Sequence, residues 1–469
     1  MIPIVVNAQG SSDHKAAHTQ SMSVFESLEG SWDGPGEQPA IQFGMVRAPE
    51  LTISVDDAVR YQTIDGFGAS LTDSSAWLLE EKLSEKQRNK LLQQLFDPIH
   101  GIGLSLLRQP MGSSDFALED YTYDDLPEGQ TDPELRKFSI EKDQRYIIPL
   151  LKKALELNPH LKILASPWSP PGWMKSSQSM LQGSLLPSAY QAYASYFVRF
   201  VEAYRKAGVP IFAVTPQNEP LNIPVDYPGM GMNSEEQSSF IRDDLGPAFR
   251  ESRLKTRIFI FDHNWDLIHY PVEVLNDPKA ASYVSGIAIH CYGGNPSAQT
   301  ELHERFPKLD IWLTECSGGD WQTGSLLGQQ MRLIINATRN WSHSVILWNL
   351  ALDQDHKPFL GGCKTCRGLV TIKFDDPNPE IVPTIDFTAI AQVSKFLRPG
   401  ARRIESNTFG PGSLEDVAFR NSDGSIVLVA LNSSAKPIPF NIRWSGMFAT
   451  YTLKAGSAVT FVWQGHTGH

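Results

Sequence analysis

Between residues 61 and 350 the chain alternates two hydrophobic patterns. Short β-branched or aliphatic runs read as buried strands: "YQTIDGFGAS", "GIGLSLLRQ", "LKILASPW", "IFAVTPQNE", "RIFIFDHN", "SGIAIHCY", "DIWLTEC" and "SVILWNLAL". Amphipathic segments with helix start and stop signals separate them. Ser84-Glu85-Lys86-Gln87 reads as a capping box ahead of Leu91, Leu92, Leu95 and Phe96 on one face. Ser188-Ala189-Tyr190-Gln191 reads as a second, ahead of Tyr193, Phe197, Phe200, Val201 and Tyr204, with Gly208 as the stop. Eight strands alternating with helices predict a closed (β/α)8 TIM barrel over residues 61–396. An open doubly wound sheet would carry a Gly-rich phosphate turn after its first strand, and "DGFGASLTD" is no G-x-G-x-x-G.

After about residue 395 the period changes to two. "GSIVLVALNSS", "IPFNIRWSG" and "FATYTLKAGSAVTFVWQG", separated by Gly/Asn/Ser turns, predict antiparallel strands. Arg398-Pro399-Gly400 marks the boundary. The tail alone, 397–469, has too few strands for a full β-sandwich. "AIQFGMVRAPELTISVD" has the same pattern, so residues 41–60 are expected to complete a sandwich built from both chain ends. Val427, Leu428, Val429, Leu431, Phe461 and Trp463 are expected to face its interior. Residues 1–40, polar and Gly/Ser-rich in their later part, read as a flexible leader.

Composition is that of an ordinary globular protein, 41% hydrophobic and 20% charged. A net charge of −11 argues against nucleic acid and against a polyanionic substrate. No apolar run approaches the roughly 20 residues that span a bilayer, so stable membrane insertion is not expected. The start, "MIPIVVNAQG", resembles the tail of a signal peptide without a basic n-region or full h-region; the expected location is secreted or periplasmic. Four cysteines are too few for a disulfide framework. Cys363 and Cys366 form a lone C-x-x-C, read as a short-loop disulfide or plain thiols in preference to half a zinc site. Cys291 and Cys316 read as buried thiols. Eleven Trp leave some beyond packing needs to lie against sugar rings.

In a (β/α)8 barrel the chemistry sits at the C-terminal ends of the strands. Those ends carry Asp73 after strand one, Arg108 in two, Trp168 in three and Asn218-Glu219 in four. They continue with His263 in five, His290 and Tyr292 in six, Glu315 in seven, and Trp348 and Asn349 in eight. Glu219 taken alone could equally be a helix cap or a surface charge. Glu219 and Glu315 on opposing sides of one mouth are what glycoside hydrolysis requires: an acid to protonate the leaving oxygen, and a carboxylate to attack or to activate water. Trp168 and Trp348 could instead be barrel packing, and His290 a satisfied structural histidine. His263 reads as lying behind the residues that touch substrate. Metal spacing such as H-E-x-x-H is absent; no metal and no cofactor are expected.

The segments "DGFGASLTDSSAW", "LLRQPMGSSDF", "YTYDDLP", "ASPWSPPGWMK", "TPQNEP", "DDLGPAF", "HCY", "LTECSGG" and "WNLALD", in that order, resemble the glucosylceramidase-like retaining β-glycosidases of glycoside hydrolase family 30. The resemblance covers roughly residues 60 to 375. It implies that Glu219 is the general acid/base and Glu315 the nucleophile. It also implies that Asp73, Trp168, Asn218 and Trp348 hold the hydroxyls of the −1 sugar, with His290 and Tyr292 lining the site. Gln217 and Cys291 depart from the pattern, since some members carry an acid and a Trp there. The implied activity is hydrolysis of β-glucosides of the β-glucosidase or glucosylceramidase type, with endo-β-1,6-glucanase or β-xylosidase as alternatives. A non-catalytic carbohydrate-binding protein is the reading from a different class. The expected partner is a carbohydrate, a β-glucoside or β-glucan; no oligomeric state is assigned.

Overall fold

Eight parallel strands close a barrel in the computed structural model, which describes residues 20–466 apart from 31–33, 46, 48 and 375–377. In chain order they are Gly66–Ser70, Leu106–Pro110, Lys162–Ser166, Ala213–Val214, Arg257–Asn264, Val284–His290, Asp310–Glu315 and Ser342–Leu347, and each pairs with its sequence neighbours. The lower interior is apolar, filled by Leu106, Leu164, Ala213, Phe259, Ala288, Trp312 and Ile346. Two residues further along most of these strands the inward positions turn polar: Arg108, Ser166, Thr215, His290 and Thr314, all fully buried. The barrel is therefore a packed plug below and a polar cup above.

Strand five breaks that parity. Its pairing with strand six shifts between Phe261 and His263, and Phe261 and Asp262 have φ of 78° and 63°. The bulge sends Phe261 outward onto Tyr270, ring centroids 5.4 Å apart, and turns Asp262 into the cup.

Nine further strands form one curled sheet. Its order is Met447–Leu453, Ile438–Trp444, Thr52–Ile64, Ala401–Ser406, Leu414–Arg420, Ser425–Asn432, Ala458–Gln464, Ser21–Ser27 and Gly36–Gln42. An isolated bridge between Gly44 and Phe448 brings its ends together around Phe43, Phe440, Trp444, Phe461 and Trp463. Both chain ends build this sandwich, as the alternating pattern predicts. The leader reading is corrected, because residues 21–27 and 36–42 are strands: Met22 and Val24 alternate into the core. Its first 19 residues lie outside the described residues. "YQTI" also belongs to the sandwich, in the strand ending at Ile64, so the barrel's first strand begins at Gly66.

Ser425–Asn432 is buried on both faces. Ile426, Leu428 and Ala430 enter the sandwich core, whereas Val427, Val429 and Leu431 join the barrel's helices. The expectation that all six named residues share the sandwich interior fails for these three, since side chains alternate along a strand. The capping boxes divide likewise. Ser84 caps its helix reciprocally with Gln87. Ser188 instead lies in a 3-10 turn, Pro187–Ala189, and the helix Tyr190–Lys206 starts with no side-chain cap.

Candidate active site

Asp262 organises the cup. Its Oδ2 accepts from Arg108 Nη2 at 2.8 Å, Ser166 Oγ at 2.7 Å and Thr215 Oγ1 at 2.8 Å. Its Oδ1 meets His290 Nε2 at 2.9 Å and Thr314 Oγ1 at 2.7 Å. Burial alone would push this carboxyl up, but Arg108 and His290 hold it well below the usual range. Arg108, also fully buried, donates upward as well, through Nη1 to Glu315 Oε2 and through Nη2 to Asn218 Oδ1 at 2.7 Å, while its Nε has no hydrogen-bond partner. Trp168 and Trp348 stack on each other with centroids 5.1 Å apart, and the Arg108 guanidinium lies 4.8 Å from the Trp168 ring. The packing and site readings of these tryptophans both hold: they are nearly buried, yet both line the cavity.

The two glutamates sit above this base. Glu219 follows the short strand four in left-handed backbone, φ 41°, and its N–H donates to the Asp262 carbonyl at 3.0 Å. Asn222 Nδ2 donates to Glu219 Oε2 at 2.9 Å, and His290 Nδ1 lies 3.1 Å from Oε1. Glu315 ends strand seven, its Oε1 accepting from the Tyr292 hydroxyl at 2.8 Å. Ligating atoms of Glu219, His290 and Glu315 all lie within 4.8 Å of one another. This trio is the cation-type cluster among the described residues, and its atoms are already engaged with Asp262, Arg108, Tyr292 and Asn222. Carboxyl groups this close suit double displacement, since an inverting pair stands about 6.5–9.5 Å apart to admit water.

Burial opposes a charge on His290, but Glu315 and Asp262 push its pKa up to about 9. At neutral pH both ring nitrogens therefore donate, one to Asp262 and one to Glu219. Burial likewise pushes the Glu315 carboxyl up, His290 and Arg108 opposing it and the Glu219 charge adding to it. Glu219 is held below its usual value despite burial by the hydrogen bond and charge of His290.

A cavity of about 970 Å³ opens from the pair, lined by Asp115, Trp168, Asn218, Tyr292 and Trp348 on the inner side and Tyr227 and Trp321 further out. Trp168, Asn218, Glu219, Tyr292, Glu315 and Trp348 are thus brought together, with His290 beneath them. Asp73 is not. It opens the helix Asp73–Trp77, accepts the Leu118 N–H at 3.0 Å and does not line the cavity. The acid that does is Asp115, to which the Trp348 side chain hydrogen-bonds; burial, then the charges of Glu315 and Glu219, keep its carboxyl well above the usual range. Its signal was the "GSSDF" following strand two. Asp262 was missed because its orientation depends on a bulge. His263 lines the cavity, with no hydrogen-bond partner on its buried Nδ1.

The cysteines correct a further expectation. Cys291 and Cys316 are joined in a disulfide, Cα atoms 5.3 Å apart, instead of remaining thiols, because the ends of strands six and seven bring them side by side. Cys363 and Cys366 form the short-loop disulfide. All four line the cavity.

Known proteins agree with this architecture. Residues 64–368 match the glycosyl hydrolase family 30 TIM-barrel domain, and residues 400–461 the family 30 beta sandwich domain. An endo-1,6-beta-D-glucanase of Neurospora crassa is 35% identical over 443 residues, 87% of this chain and 89% of that one. The lysosomal acid glucosylceramidase of Mus musculus is 31% identical over 464 residues, 92% of this chain and 87% of that one. Among solved structures, the endo-beta1,6-glucanase BT3312 superposes with a TM-score of 0.87 at 32% identity, covering 95% of this chain and all of that one.

Proposed function

This chain belongs to glycoside hydrolase family 30, and from that premise we propose that it cleaves β-1,6-linked glucan by double displacement through Glu315 and Glu219. Membership makes it a glycoside hydrolase acting on carbohydrate, which sets aside the non-catalytic binding protein. The mechanism rests on one observation, the approach of the two carboxylates to within 4.8 Å. Glu315 attacks the anomeric carbon while Glu219 protonates the leaving oxygen. Because His290 holds Glu219 in its ionised form, the proton Glu219 delivers comes from the protonated His290 Nδ1, 3.1 Å from Glu219 Oε1, and that reservoir persists above the range of an isolated glutamic acid. Once Glu315 is a neutral ester its repulsion of Glu219 vanishes, and Glu219 takes a proton from the water that frees the sugar. Arg108 and Tyr292 hold Glu315 for attack and stabilise it as it leaves. Asn218, whose oxygen Arg108 orients, and Asp115 are the partners for sugar hydroxyls.

Sequence reasoning put a simple β-glucoside or glucosylceramide first. The named glucanase relatives support the glucan reading instead, as does a cavity that continues outward past the carboxylates to Trp321, 53% exposed. One observation favours a second reading: Leu221, Ile223 and Val225 stand exposed on the loop after Glu219, where a lipid aglycone could rest. Two disulfides suit an oxidising compartment and support a site of action outside the cytoplasm. No helix among the described residues is long and apolar enough to cross a membrane.

Turnover on a β-1,6-glucan, its short oligosaccharides, an aryl β-xyloside and glucosylceramide separates these readings. The proposal expects the highest kcat/KM on the glucan, with oligosaccharides appearing before glucose. Preference for the glucosyl lipid, or release of glucose alone, contradicts it.

A further inference from the structure

We propose that the Cys291–Cys316 disulfide is a positioning device for the nucleophile, pinning Tyr292 against Glu315 where the pairing of the two barrel strands has ended. The inference rests on the reading of Glu315 as nucleophile. Strands six and seven pair as far as His290 and Glu315, with an irregularity after Leu313. The next residues on each side are the two cysteines. Beyond them each chain is tied away from the other: the Tyr292 N–H donates to Asn264 Oδ1 at 3.1 Å, and Trp348 N–H donates to the Cys316 carbonyl at 2.8 Å. One segment is drawn toward strand five and the other toward strand eight, and the disulfide is the covalent tie between them.

Tyr292 needs such a tie. It is 42% exposed, so packing alone does not enforce the 2.8 Å contact of its hydroxyl with Glu315. A phenol free to swing into solvent would stabilise the carboxylate during part of the time only. It would leave Arg108 as the constant donor to Glu315. The bridge flanks Tyr292 on one side and Glu315 on the other, so it fixes both backbone anchors of that hydrogen bond. Cys363–Cys366 spans three residues within one loop and cannot act between strands.

The test is the double variant Cys291→Ala/Cys316→Ala, assayed on β-1,6-glucan and crossed with Tyr292→Phe. We expect kcat to fall about 10-fold with KM within about twofold, the signature of an interaction strengthened in the transition state. The acid limb of kcat/KM should move up by about half a pH unit, because a loosened phenol no longer favours the Glu315 carboxylate. Tyr292→Phe should lower kcat by a similar factor alone and by less than about twofold in the bridge-free background. Unchanged kcat and acid limb, or losses that multiply with Tyr292→Phe, overturn the inference. If the double variant does not fold, the full-length oxidised enzyme is reduced stepwise with a phosphine and the opened cysteines are mapped by alkylation and peptide mass. Activity lost in step with alkylation of Cys291 and Cys316 supports the positioning role, and activity that survives their opening refutes it. A wild type that turns over while the bridge proves irrelevant strikes the inference alone. A wild type without turnover strikes the proposed function and the inference with it.

Discussion

Two acids buried to the same degree behave in opposite ways in the barrel mouth and in the seam between barrel and sandwich. At the mouth, Asp262 meets five donors and stays ionised far below the usual carboxylate range. At the seam, the Asp416 carboxylate meets only Arg339, at 3.8 Å, and, weakly, the Ser406 hydroxyl. Burial pushes it up to about 7, with Arg339 opposing. Desolvation is comparable; what differs is whether donors compensate it. The five groups around Asp262 at the mouth are thus a connected polar network, in which Arg108 and His290 reach on to the Glu219–Glu315 pair. The seam is held mainly by apolar contact, with polar ties both buried within it and at its edge. Gln392, on the helix Ile385–Ser394, donates to Ser27 Oγ at 2.9 Å and accepts from Thr460, so it touches strands from both chain ends. Arg332 meets Glu415 at 2.8 Å.

The largest effect comes from removing the seam. Truncation after Leu397 takes away Val427, Val429, Leu431 and Ala458, which pack in the barrel's own core, and should give insoluble or inactive protein. A soluble 1–397 fragment with near-normal melting temperature and turnover would make the sandwich an appendage. Next is the mouth. Glu315→Ala should lower turnover by several orders of magnitude while leaving the fold intact. Added azide should then yield an α-glycosyl azide from a β-glycoside, and recovery of the β-azide would exchange the roles of Glu219 and Glu315.

Asp262→Asn separates network from chemistry, because Asp262 lies beneath the reacting atoms. It removes a charge that steadies Arg108 and raises His290, so kcat should fall about 10²-fold. The alkaline limb, expected near the His290 value of about 9, should move to lower pH. Normal kcat and an unmoved limb would show that the network is dispensable. The smallest effect is at the seam, where Asp416→Asn should stabilise. The unfolded carboxyl titrates at about 3.9. The folded one titrates at about 7, so the native state binds the extra proton between those values. Stability therefore falls as pH rises through that window, and the full deficit is present above it. The neutral amide of the Asp416→Asn variant carries no such deficit, so the melting temperature should rise by about 1–3 °C at pH 8 and by less at pH 5. An equal shift at both values would assign the gain to packing.

The same contrast explains what could be read from the residues. Apolar runs and capping signals depend on near neighbours, and they revealed the eight strands, the helix at Ser84 and the second architecture at the tail. Strand ends in a barrel converge, so Glu219 and Glu315 could be paired from opposite parts of the chain. Asp262 could not be found this way, because a shift of one residue at Phe261 reverses which side chain points inward. The family resemblance implies a sugar-binding role for Asp73, but Asp73 is spent on the Leu118 N–H while Asp115, from the loop after strand two, occupies the wall. The Cys291–Cys316 pairing depends on the closeness of two loops that no local pattern encodes. Alternation in Ser425–Asn432 was legible as a strand, but not that both of its faces would be covered.

The central claim is double displacement by the Glu219–Glu315 pair, and the anomer released first tests it most directly. Proton NMR followed from the first minutes of β-glycoside cleavage resolves the new reducing end before it mutarotates. The account predicts that the β-anomer accumulates first and relaxes to the equilibrium mixture. Initial release of the α-anomer would mean that water attacks the sugar directly, and the assignment of Glu315 as nucleophile would be wrong.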